Sequence, residues 1–134
     1  MGKIDVLKGH LLLDTHALIW WATGDSALSK KVRRLVQDET TKILVSAATA
    51  WEIATKVRLG KLKWPSGDSV ESYCVGQRFE LLAVTFAHGE RAGSWQQQHG
   101  DPFDRMLAAQ SEIEGIPLAT NDKQIEAFGI VTVW

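Results

Sequence analysis

Four acidic residues carry the chemistry this sequence offers. Asp14 follows the apolar run Leu11-Leu12-Leu13 directly, and Asp122 follows Leu118-Ala119-Thr120 after a single Asn. Glu52 lies just beyond Ile43-Leu44-Val45, one turn into the helix that follows. Asp104 opens a helix in the stretch His99-Gly-Asp-Pro-Phe-Asp-Arg-Met-Leu-Ala-Ala-Gln110. If the apolar runs are strands of one sheet, all four carboxylates gather near one edge of it. Gathered in a crevice they repel each other, and some keep their protons at neutral pH unless a cation joins them. Mg²⁺ and Mn²⁺ take oxygen ligands and retain waters. An ion held in this way orients and deprotonates an attacking water and offsets charge on a leaving oxygen, which is one route to phosphodiester hydrolysis.

Each acid also has a plainer reading. Pro102 fits the first position of a helix, where its missing N–H costs nothing, so Asp101 falls at the N-cap. Asp104, at the third position, suits the positive end of the helix macrodipole. Asp14 and Asp122 fit as caps of the helices that follow them, and Glu52 as the partner of Lys56 four residues on. What favours the shared ion is that the arrangement recurs: four such acids fall at corresponding places along one chain.

The elements that must position them alternate. Apolar runs at 11–13, 43–45, 81–84, 117–120 and 130–133 read as strands. Between them, helices are expected over 17–22, 30–38, 47–59, from Asp68 toward Phe79, over 87–93, from Pro102 to Glu114, and over 122–128, with Gly60, Gly115 and Gly129 as stops. Ser29 and Ser46 read as N-caps. Strand and helix in alternation predict an α/β fold with a mainly parallel central sheet of about five strands, flanked by helices on both faces. Open α/β sheets bind ligands outside the carboxyl ends of their strands, where the four acids are expected.

The chain has 134 residues, enough for a single domain over 1–134 and too few for two. A lone Cys74 excludes an internal disulfide framework and fits a reducing, cytoplasmic setting. Residues 1–10 hold Lys3, Asp5 and Lys8 and do not read as a signal peptide. The run 11–22 is broken by Asp14 and His16 and is too short to cross a bilayer. A net charge of −1 excludes a protein that coats nucleic acid by bulk charge. It leaves room for local patches, and Lys30, Lys31, Arg34, Lys56, Arg58 and Arg105 are the candidates for holding a phosphate backbone.

With these residues in place, the chain resembles the PIN domain, and within it the VapC-type toxins of bacterial toxin–antitoxin pairs. The matching segments are Leu11-Leu-Leu-Asp-Thr-His-Ala-Leu-Ile-Trp20, Val45-Ser-Ala-Ala-Thr-Ala-Trp-Glu-Ile53, Asp101-Pro-Phe-Asp-Arg-Met-Leu-Ala-Ala-Gln110 and Leu118-Ala-Thr-Asn-Asp122. They come in the family's order and span nearly the whole chain. The resemblance implies that Asp14, Glu52, Asp104 and Asp122 form an acidic metal site. Asp101 matches the extra acid of a DPFD variant, Thr120 a hydroxyl position beside the last acid, and Thr15 and Ser46 are further accessory candidates. It implies a Mg²⁺- or Mn²⁺-dependent endoribonuclease acting on structured RNA such as tRNA or ribosomal RNA. It also implies a homodimer and a cognate antitoxin whose arginine enters the acidic site.

Other residues tempt less. His16 can touch the site or face solvent. His99 beside Asp101 hints at zinc, but no Cys or second His stands near it in sequence. Ser46 lacks a triad partner. The six Trp are expected to be buried for the most part, although aromatic side chains can also stack unpaired bases. The alternative to an enzyme is a PIN-like module that binds RNA or protein without cutting. A phosphate-receiving signalling domain would need adjacent acids at the first strand and a late Lys after a strand, and neither is evident.

Overall fold

The computed structural model describes residues 9–134. The reading of the N-terminal stretch as no signal peptide therefore falls almost wholly outside the described residues. Strand β1 (His10–Leu13) is the middle of a five-stranded sheet. Its three leucines are all buried, as a strand covered on both faces requires. It pairs in parallel with β2 (Lys42–Ser46), Leu12 opposite Leu44, and with β4 (Leu118–Ala119), Leu12 opposite Leu118. Outside these lie β3 (Glu80–Leu82) and β5 (Thr132–Val133), again parallel, giving the order β3-β2-β1-β4-β5. The chain thus steps outward from β1 in one direction, then crosses back and steps outward in the other. The point of reversal lies between β1 and β4, and it is outside the carboxyl ends of such strands that open α/β sheets bind ligands.

Side-chain alternation along β1 divides the interior in two. Leu11 and Leu13 enter one cluster with Ala17, Leu18, Val32, Val45, Ile53, Cys74 and Ala119. Leu12 enters the other with Leu44, Leu107, Ala108, Leu118, Ile125 and Phe128. Covering the first side are α1 (Thr15–Thr23), α2 (Lys30–Gln37), α3 (Ala47–Arg58) and α4 (Val70–Gly76), each contributing residues to that cluster. Later in the chain come α5 (Phe86–Ser94), α6 (Pro102–Glu114) and α7 (Lys123–Glu126), and the last two supply Leu107 and Ile125 to the second cluster. Among the described residues, no helix is long and apolar enough to cross a membrane.

Several helix starts take the form expected. Ser29 accepts from Val32 N–H and Ser46 from Ala48 N–H. Asp101 accepts from the N–H groups of Phe103 and Asp104, with Pro102 at the head of α6. Other boundaries differ. The helix expected from Asp68 is capped by Ser69 and ends at Gly76, because Ser69 reaches the N–H of Ser72. Helix α5 starts before residue 87, since Thr85 caps it and His88 returns the bond to Thr85 N–H. An imidazole here fills the role usually taken by Glu or Gln. The third strand ends at Leu82, and the last keeps only Thr132–Val133.

The six tryptophans depart from expectation. None is fully buried: Trp20, Trp21, Trp64, Trp95 and Trp134 sit half-covered at the margins of the two clusters, and Trp51 is 60% exposed. Small residues and leucines already fill the space next to the short strands, so large rings are left at the rim.

Leu107 is fully enclosed at the centre of the second cluster. Leu107→Ala should cost about 2–5 kcal/mol of unfolding free energy, read from urea denaturation. A loss below about 1 kcal/mol would mean that this side of the sheet is not packed as described.

Candidate active site

The crevice at the point of reversal collects the acids because strand ends and helix starts meet there. Asp14 leaves β1 and caps α1: its N–H donates to Ala119 O at 3.1 Å, and its Oδ1 accepts from Ala17 N–H at 2.7 Å. Those two bonds fix the carboxyl between β1 and β4, and the residue is only 4% exposed. Asp122 leaves β4 and caps α7, its N–H donating to Thr120 Oγ1 at 3.1 Å and its Oδ1 accepting from Gln124 N–H at 2.9 Å. Asp104 stands in the first turn of α6, held at the crevice by the Asp101 cap before it.

Glu52 is reached differently. It lies in the body of α3, 3% exposed, and its two oxygens are both engaged. Thr15 Oγ1 donates to Oε1 at 2.6 Å, and Lys56 Nζ contacts Oε2 at 2.6 Å. The pairing with Lys56 expected from the i,i+4 spacing is present, but on a buried carboxylate. One of the four negative charges is therefore already compensated within the protein.

The remaining charges act on one another. Burial pushes Asp14 up from 3.8 to about 6, against the Thr120 hydroxyl and the Ala17 N–H, which favour its ionised form; Asp104 adds to the rise. Asp104 is raised too, first by burial, then by the charges of Asp101 and Glu52, and is held back by its bond to His99. Those effects tie Asp14, Glu52 and Asp101 electrostatically to Asp104.

The tightest set is not four carboxylates. Asp104, Asp122 and His99 each offer a ligand atom, and the three atoms lie within 4.8 Å of one another. His99 Nε2 stands 2.9 Å from Asp104 Oδ2. Two carboxylates and an imidazole at that separation, with the buried Asp14 beside them, fit a divalent cation that takes oxygen and nitrogen donors. Reading along the sequence pairs His99 with Asp101, two residues away; the fold pairs it with Asp104 and Asp122. The usable signal was its place just ahead of the Asp101 cap, where the loop into α6 must bend back over the crevice.

Arg105 requires a correction. It was a candidate for gripping RNA, yet its guanidinium is spent on main-chain carbonyls: Ala92 at 2.8 Å, Trp95 at 2.5 Å, Gln97 at 2.7 Å and His99 at 2.8 Å. It shapes the loop that presents His99. Lys56 is likewise engaged by Glu52. Arg58, Lys30, Lys31 and Arg34 are exposed, and no ion pair ties them to the acids among the described residues. Ser46 is occupied as a cap, Thr15 supports Glu52, and Thr120 supports both Asp14 and the Asp122 turn. His16 faces solvent, near enough to Asp14 for its charge to be felt.

With that geometry in view, comparison with known proteins is informative. The family model for the PIN domain matches residues 11–131. A curated relative, ribonuclease VapC16 of Mycobacterium tuberculosis, is 57% identical over 35 residues, which is 26% of this chain and 25% of that protein. The matched stretch is thus a quarter of the relative's length. Among solved structures, VapBC2 from Rickettsia felis, bound to a DNA fragment from its promoter, superposes with a TM-score of 0.65 at 17% identity, covering 93% of this chain and 97% of that one. VapC20 of Mycobacterium tuberculosis, described as a Sarcin-Ricin loop cleaving toxin, gives 0.61 at 19% identity, covering 92% and 98%.

A carboxyl whose pKa is raised on folding adds stability at low pH that is lost as pH climbs to its folded value. For Asp14 the window runs from about 4 to about 6, and ionising it in the metal-free protein costs on the order of 3 kcal/mol. Asp14→Asn keeps an oxygen for the Ala17 N–H and removes the charge. In EDTA at pH 7.5 it should melt above the wild type, and at pH 4 the gap should close, by calorimetry. Equal melting temperatures at both pH values would contradict the burial of that charge.

Proposed function

The chain belongs to the PIN domain family, and from that membership we propose that it is a divalent-metal-dependent endoribonuclease, the toxin of a toxin–antitoxin pair. Its substrate class is structured RNA of the tRNA or ribosomal kind, and its site is Asp14, Glu52, Asp104 and Asp122. The observation that carries this reading is the buried Asp14 carboxyl, raised to about 6, beside ligand atoms of Asp104, Asp122 and His99. A cap alone has no need of a desolvated charge with a second carboxylate, Asp104, acting on it; a cation makes the arrangement favourable. The description of VapC20 as a Sarcin-Ricin loop cleaving toxin, and the name ribonuclease VapC16, support the same class of activity.

Mg²⁺ or Mn²⁺, when bound, supplies Lewis acidity to the water and to the phosphoryl oxygens. The chain's own part is to place and charge the donors. Asp104 and Asp122 present oxygens at the mouth, and Asp14 presents one at the floor after giving up its proton. Thr15 and Lys56 hold Glu52 at fixed orientation. His99 Nε2 donates to Asp104 Oδ2 and steadies that carboxyl; with its proton on Nδ1 instead, the same nitrogen would be a donor to the ion beside Asp104 and Asp122. Asp101, whose Oδ1 receives two backbone N–H groups, serves as the cap. A cognate antitoxin and a second copy of this chain are the protein partners in this reading.

Purified protein should cleave total tRNA or ribosomal RNA in Mg²⁺ or Mn²⁺ and leave it intact in EDTA. Asp104→Asn should lower the rate by at least about 100-fold, because several kcal/mol of transition-state stabilisation go with the ion. Undiminished growth arrest by that variant would favour a binding module in place of an enzyme, and undiminished cleavage would remove Asp104 from the site.

A further inference from the structure

Trp51 and Phe103 form an edge-to-face pair, ring centroids 4.6 Å apart and planes at 72°. Trp51 comes from α3 and Phe103 from the first turn of α6, so the pair bridges the two helices that carry Glu52 and Asp104. Each ring immediately precedes one of those acids. Trp51-Glu52 and Phe103-Asp104 therefore meet twice across one contact: the rings touch, and the charge of Glu52 is felt by Asp104. Glu52 is buried, whereas Trp51 leaves 60% of its surface to solvent. An indole that large, braced edge-to-face by the ring that precedes Asp104 and 60% open to solvent, has surface to spare one residue away from two of the acids.

The charges nearby do not suit a phosphate backbone. The acids repel it, Lys56 is paired with Glu52, and the Arg105 guanidinium is surrounded by carbonyls. A nucleobase is free of that conflict: it is uncharged, and stacking on an aromatic face is favourable for every base. We propose that Trp51, propped by Phe103, is the platform on which one unpaired base stacks next to the scissile phosphate. The enzyme then grips its RNA at the site through a base and not through the backbone. It acts on single-stranded positions, such as loops, within a structured RNA, because a paired base has no free face to offer. This rests on the ribonuclease reading above and adds which feature of the substrate that site selects.

The test measures binding apart from cleavage. A fluorescein-labelled 12-nucleotide single-stranded RNA and the same sequence as a duplex are titrated, by anisotropy, with the full chain in Ca²⁺ in place of Mg²⁺. Trp51→Ala should weaken single-strand binding by about 5- to 150-fold, the range for loss of one stacked base. Duplex binding should be unchanged, and Trp51→Phe should recover most of the loss. Placing an abasic site at successive positions should find one where the wild type loses affinity and Trp51→Ala loses no more. Equal affinities for wild type and Trp51→Ala, or equal losses on strand and duplex, would overturn the proposal. So would unchanged RNA binding accompanied by an altered oligomeric state in light scattering, which would make Trp51 a contact between copies. A wild type that binds the strand through Trp51 yet cuts no RNA in Mg²⁺ or Mn²⁺ would sink the ribonuclease reading and leave the platform standing.

Discussion

Like charges taken out of water next to one another dominate this structure. Asp14 is closed in by β1, β4 and α1, and burial alone lifts its pKa by more than its two hydrogen bonds lower it. Asp104 meets the charges of both Asp101 and Glu52. Holding such groups in place requires a scaffold that gains free energy elsewhere, and the two leucine-rich clusters on either side of β1 supply that gain. The fold can tolerate a crevice of carboxylates because its central strands are fully sealed.

The same residues that bring charge also finish the backbone. Asp14 and Asp122 each satisfy an N–H at a helix start, and Asp101 satisfies two. Structural and chemical readings of these acids are therefore not rivals in the folded chain. One carboxylate oxygen closes the cap, and the other remains for the crevice. Asp104 and Glu52 are the exceptions, since neither closes a cap: Asp104 Oδ2 meets His99 Nε2, and the two oxygens of Glu52 are held by Thr15 and Lys56. The burial of Glu52 makes sense only through those partners, since an unpaired carboxylate in that position would be strongly disfavoured.

How much of this could be read in advance follows from where the information sits. A three-leucine run names a central strand, and Asp101-Pro102 names a helix start, because both are local patterns with local causes. The placement of Asp14 and Asp122 at neighbouring strand ends follows from strand alternation and the order of the sheet. His99 was invisible as a partner of Asp122 because α6 and β4 separate them in the chain, and the loop before α6 brings His99 back by a path that no periodicity encodes. Arg105 looked like a surface cation for the same reason: nothing in its neighbours says that a loop will wrap its guanidinium. Trp51 looked like core because most apolar rings are, yet its position on α3 is set by Glu52, whose inward side chain turns the preceding residue away. Helix α5 escaped its boundary because His88 closes a capping box in which a carboxylate or amide is the usual partner.

The loop over residues 95–99 is held by bonds to carbonyl oxygens, and carbonyls are common to every residue type. Its shape is therefore indifferent to the side chains of Gln96, Gln97 and Gln98, which are exposed. Such a segment can drift in outward chemistry while its path over the crevice stays constant. Variation at the rim is thereby decoupled from upkeep of the acidic floor beneath it.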